Sequence, residues 1–162
     1  EADRAGQAVS DAYWIDRRSS YCGRPVRFGD WRNDRVLRLF RRGRARFSDE
    51  PVHERLVCDG PQGRLAGVLL HDSVDSPDDA REKALRYARL GAERLRARGK
   101  GGLWPALTHG GWAFLRGYLL RMGWLDGRAG LAIACLNARS TYTRYLLAGM
   151  PPVPASPPGE PR

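Results

Sequence analysis

The tetrapeptide Ser76-Pro77-Asp78-Asp79 divides this chain into two halves that fold by different rules. Ser76 is placed to cap a helix, Pro77 fits the first helical position, where no N–H is needed, and the two carboxylates face the positive end of the helix dipole. A helix is therefore expected from Pro77 to about Arg98, where Gly99, Gly101 and Gly102 stop it. Before Ser76 the apolar residues come in short runs broken by turn residues, which is the pattern of strands.

In that first half, Ala12 to Ile15 suits a short strand, and Ser19 to Trp31 reads as a loop punctuated by Gly23, Pro25 and Gly29. The run RVLRLFRR, Arg35 to Arg42, alternates with period two and predicts a strand with Leu37 and Leu39 inward and Arg38 and Arg42 outward. Arg44 to Phe47, Glu54 to Cys58 and Leu65 to Leu70 are further strand candidates, with Asp59-Gly60-Pro61 turning the chain before the last of them.

In the second half, a helix is expected from Trp104 or Pro105 to Met122. On a helical wheel Trp104, Leu107, Gly111, Leu115, Tyr118, Leu119 and Met122 share one face, with His109, Arg116 and Arg121 opposite or flanking. A third helix, Arg128 to Leu147, follows Asp126-Gly127, and the tail from Pro151 carries six of the eleven prolines and reads as disordered. The reading is α/β: short strands over 1–75, about three helices over 76–150 and a proline-rich tail over 151–162.

The net charge is +10, and its distribution matters more than its size. Arg17 to Arg46 holds eleven arginines against Asp30 and Asp34, so nearly all the excess lies in one stretch. Such a concentration points to an anionic partner: nucleic acid, phosphorylated glycan, nucleotide phosphate or an acidic membrane surface. Cys22, Cys58 and Cys135 are far apart and odd in number, which argues against a disulfide framework or a zinc knuckle and fits a reducing cytoplasm. Residue 1 is Glu and no signal-peptide pattern follows, so an upstream segment is expected.

Five segments together resemble one family. They are YCGRPVRFGDW (Tyr21 to Trp31), VLRLFRRGRARFSD (Val36 to Asp49), VHE (Val52 to Glu54), LLHDS (Leu69 to Ser73) and WAFLRGYLLRMGWLDGRAG (Trp112 to Gly130). In this combination the chain resembles the C-terminal part of bacterial family 2 glycosyltransferases of the lipopolysaccharide-core, beta-1,4-glucosyltransferase-like type. The resemblance implies the acceptor side of a GT-A fold. Its donor-binding half, with the Asp-x-Asp metal motif, would lie outside these residues, leaving this stretch inactive alone.

The resemblance also implies roles. Glu54 would be the general base, beside His53, that takes the proton of the acceptor hydroxyl in an inverting transfer. His71 would be a ligand for Mn²⁺ or Mg²⁺, with a structural histidine as the alternative. Arg38 and Arg41 would bind phosphate through their planar forks, and Trp31 and Tyr21 would stack on sugar rings. The expected donor is a nucleotide sugar, first of all UDP-glucose. The expected acceptor is a lipid-linked core oligosaccharide at the inner face of the cytoplasmic membrane, with the helix from Trp104 to Met122 either lying in the membrane interface or buried against a neighbouring helix. Two other readings compete: a basic nucleic-acid-binding module, which lacks any recognisable recognition motif, and a noncatalytic peripheral membrane adaptor.

Overall fold

The computed structural model describes residues 10–32, 34–48 and 55–151, and over these the protein is a mixed α/β fold, a small sheet joined to three helices. Strand β1, Ala12–Tyr21, is the spine of the sheet. It runs six residues past the expected Ile15, because Ser19–Tyr21, expected as loop, are held in the ladder from both sides.

After Tyr21 the chain reverses through Cys22 and Gly23, at φ 49° and 74°. Two successive left-handed residues match the twist of a tight hairpin, and glycine takes the second without strain. The short β2, Arg24–Pro25, then pairs back on Ser20 and Tyr21, while β3, Asp34–Phe40, pairs antiparallel with the first half of β1, from Arg17↔Asp34 to Ala12↔Phe40.

The small strands β4, Arg46–Phe47, and β5, Leu56–Val57, form a separate antiparallel ladder bracketing residues 49–54. The long β6, Gln62–Val74, lies parallel to β1 along its whole length, from Ala12↔Gln62 to Tyr21↔Val74. Ser20 Oγ donates to the Asp72 carboxylate across this pair. Leu39, expected inward, is 53% exposed, because nothing among the described residues covers that face of β3.

Helix α1 is Pro77–Ala97, as the cap signal required: Ser76 Oγ accepts from Asp79 N at 3.1 Å, and Lys83 bonds Asp79 at 2.9 Å one turn on. It closes at Arg98, with Lys100 N donating to Leu95 O at 2.9 Å. Helix α2 is Leu103–Leu115 and continues as five residues of π-helix, Arg116–Leu120. A 3-10 turn, Gly123–Asp126, leads into α3, Gly127–Ala148, which packs against both α1 and α2.

The contact between these helices is built from small residues. Ala80, Ala88 and Ala92 of α1 are buried, as are Ala106, Gly110 and Ala113 of α2, Gly117 in the π segment, and Ala129, Gly130 and Ala134 of α3, with Ile133 of α3 as the large side chain among them. A Cβ on Gly130 would overlap the Gly123 carbonyl oxygen, so the backbones there approach as closely as only glycine permits. The wide apolar stripe read on α2 therefore points away from its neighbours. Among the described residues no large side chain is fully buried.

Candidate functional site

The segment between β2 and β3 ties the sheet to the helices and organises the clefts around it. Val26 is buried and its N–H donates to Ser19 O at 2.9 Å. The next N–H groups leave the sheet: Arg27 and Phe28 donate to the Asp126 carboxylate, Phe28 at 2.8 Å, and Gly29 N donates to Arg121 O at 2.9 Å. The short turn Gly29–Trp31 then places Asp30, whose side chain is only 9% exposed, among three donors: Arg121 at 2.6 Å, Asn137 at 3.1 Å and Arg116 at 3.3 Å. Each region thus contributes a carboxylate to the other, and the charge-assisted bonds fix their joint geometry.

The same residues line a cleft of about 510 Å³ against α2 and α3, with Arg144, His109 and Trp112. The His109 and Tyr145 rings stack there at 4.3 Å and 6°. A second cleft, of about 640 Å³, opens on the sheet and is lined by Arg17, Arg18, Arg27, Arg35 and Arg64 against Asp16 and Asp34. Arg17 pairs with Asp34, and Asp16 accepts from Arg64 at 2.6 Å and Arg35 at 2.9 Å. The Arg64 bond, opposed by burial and aided by Arg35, holds the Asp16 carboxyl below its ordinary range. Three positive charges remain in excess, so an anion entering this cleft meets guanidinium groups already oriented by carboxylates.

Trp31 lines both clefts, and the Tyr21 ring lies 6.1 Å from it at 57°. Burial, reinforced by Cys22 beside it, pushes the Tyr21 phenol above its ordinary value. The two aromatic residues singled out in the sequence are thus brought together. Arg38 sits apart, in a cleft of about 490 Å³ with Arg55, Trp14 and Phe47, which shares Asp34 and Arg35 with the sheet cleft. Arg55 follows Glu54 in the chain, but His53 and Glu54 themselves lie outside the described residues.

Arg41 and His71 join none of these three clefts. Arg41 is exposed beyond the end of β3, its N–H donating to Asp11 O at 2.9 Å. His71 is exposed on β6 opposite Ser19. Among the described residues no group of three His, Cys, Asp or Glu side chains could hold a metal ion, so a metal at His71 would need its other ligands from elsewhere.

Sequence reasoning missed Asp30 and Asp126 as organisers, and Asn137, Arg144, Asp16 and Arg64 as lining residues. Asp30 stood out only as one of two acids in an arginine-rich stretch, the one local sign that it was worth keeping. Among the described residues no helix is long and apolar enough to cross a membrane. No family model matches the chain, and no solved structure matches it.

Proposed function

We propose that this chain is the acceptor-side part of an inverting family 2 glycosyltransferase of the lipopolysaccharide-core type. It would transfer glucose from UDP-glucose to a phosphorylated, lipid-linked core oligosaccharide at the inner face of the cytoplasmic membrane. The observation that carries this reading is the sheet cleft, where five arginines and two aspartates surround Trp31, with Tyr21 tilted against it. Guanidinium forks suit phosphate oxygens, carboxylates suit sugar hydroxyls, and an aromatic face suits the apolar side of a sugar ring.

In this reading Glu54, with His53 beside it, takes the acceptor hydroxyl proton while the oxygen attacks the anomeric carbon and the nucleoside diphosphate leaves with the bonding electrons. Arg38 and Arg55 flank the chain next to Glu54 and supply positive charge for a phosphate of the acceptor. Neutralising the leaving diphosphate is the ordinary task of a divalent cation such as Mn²⁺ or Mg²⁺ in these enzymes. The described residues do not provide a ligand set for one.

In an enzyme carrying this sequence together with a nucleotide-sugar-binding segment, Glu54→Gln is expected to lower turnover by about a thousandfold or more with little change in donor binding. Turnover near the parent's would remove Glu54 as the base. Titration of the chain with core oligosaccharide, before and after phosphatase treatment, tests the cleft. Weaker binding of the dephosphorylated glycan is expected, whereas tight, salt-sensitive binding of DNA or RNA with no glycan binding would favour the nucleic-acid reading.

A further inference from the structure

From Leu103 to Leu125 the molecule turns its large apolar side chains outward. Trp104 is 77% exposed, Leu120 64%, Trp112 53% and Trp124 51%, with Leu107 and Leu119 half-exposed between them. The inward positions of the same segment are Ala106, Gly110, Ala113 and Gly117, so this face is the consequence of how α2 packs. Contiguous exposed apolar surface of this kind marks a docking site.

Two observations say what docks. From Arg94 to Leu125 the sequence holds Arg94, Arg96, Arg98, Lys100, Arg116 and Arg121 and no aspartate or glutamate, so the stretch that carries this face is positive throughout and suits an anionic partner. Beside that face opens the cleft of about 510 Å³ that Trp112 shares with Arg116, Arg121 and Arg144. Within this cleft Arg116 and Arg121 bond the Asp30 carboxylate, and with Arg144 they leave an excess of two positive charges. A cleft whose guanidinium groups outnumber its one carboxylate favours an anionic ligand. The helix is π-wound at Arg116, a distortion enriched at functional sites.

We propose that the Leu103–Leu125 face lies in the interface of an anionic phospholipid bilayer, and that the adjoining arginine cleft takes a lipid phosphate. Tryptophans and leucines enter the acyl boundary, and the guanidinium groups hold the headgroup at the level where such helices rest. This deepens the membrane part of the function proposed above and does not need its transferase part. A vesicle assay without donor or glycan therefore keeps the two apart.

The test is flotation of the chain with phosphatidylcholine vesicles and with vesicles containing phosphatidylglycerol. Flotation with the anionic vesicles only is expected. The exposed pair Trp104→Ser and Leu120→Ser, with circular dichroism unchanged, should weaken partition about tenfold or more. Arg144→Gln should weaken binding to the anionic vesicles about fivefold, the effect of one basic residue near a charged surface. Quenching of tryptophan by lipids brominated along the acyl chain gives a second readout. The proposal fails if the chain does not float or floats equally with neutral vesicles. It also fails if soluble glycerol phosphate binds as tightly as the vesicles, or if the serine pair instead dissolves a dimer seen by sedimentation.

Discussion

The helices and the sheet both leave large apolar side chains in water, but for opposite reasons. In the helices the small residues have taken the inside: Ala106, Gly110, Ala113 and Gly117 are buried, Gly110 against Tyr142 of α3 and Gly117 against Asp30, while the tryptophans and leucines point outward. In the sheet the cause is want of cover. Strand β6 pairs only with β1 among the described residues, and its Val68, Leu69 and Leu70 stay exposed, Leu70 at 77%. The helices pack through small residues and leave an apolar face surplus, whereas the sheet resembles half of a sandwich, with an open edge of the kind that invites another strand or layer.

Substitutions of glycine by alanine break this comparison at its strongest point. In Gly130→Ala the new Cβ meets the Gly123 carbonyl, which is backbone and cannot rotate away. A loss of about 3 kcal/mol is expected in urea unfolding followed by helical circular dichroism. Gly111→Ala places its Cβ on the outward face of the same packed helices, where it meets nothing within 4 Å, and should instead stabilise by about 0.5–1 kcal/mol. Equal effects at the two sites would mean that the start of α3 does not approach the Gly123–Asp126 turn as closely as described.

Asp30 tests whether the two regions depend on each other. Asp30→Ala leaves Arg116, Arg121 and Asn137 without their common acceptor. Removing one member of a buried pair costs about 3–5 kcal/mol, but both arginines are near 40% exposed and water replaces part of the loss, so about 2 kcal/mol is expected. Hydrogen exchange should quicken in the Val26–Trp31 segment and in the turns after Arg116 while α1 is unaffected. Faster exchange in α1 as well would show one cooperative unit in place of two regions joined by a clasp.

What was readable in the sequence follows from the range of the interactions. The start of α1 was explicit because Ser76, Pro77 and Asp79 act within four residues of one another. The strand around Val36 and the end of α1 were legible for the same reason. The inward face of α2 was not, since a wheel ranks residues by hydrophobicity and here alanine and glycine won the inside through close backbone approach. Ser19–Tyr21 read as loop because their polar side chains hide a ladder whose partners stand far off in sequence, at Asp72 and Val74. Trp31 and Tyr21, each singled out in the sequence as an aromatic platform, lie against one another, a contact the sequence did not announce. Asp30 was not found as an organiser, for its partners lie 86 to 107 residues away and leave no periodic trace.

The smallest expected effect concerns acid, and it sets one carboxylate of the sheet against one of the helices. Asp16 between Arg64 and Arg35, and Asp79 beside Lys83, both titrate below the ordinary 3.8, each through a side-chain hydrogen bond from its cation working against burial. A depressed folded value means that the unfolded chain takes up the proton first. The stability each pair contributes is therefore intact above pH 3.8 and is lost as the pH falls through the folded value. Asp16→Asn and Asp79→Asn should each lower the urea midpoint at neutral pH and converge on the parent as the pH falls through the folded value, which flattens the acid limb. Asp79 lies in the first turn of α1 and bonds Lys83 of the same helix, so its substitution should move only the helical signal. Asp16 holds Arg35 of β3 to Arg64 of β6 across β1, so its substitution should also expose Trp14 and Trp31 to quenching by iodide. If the tryptophans respond equally to both variants, the sheet and the helices are less independent than their packing indicates.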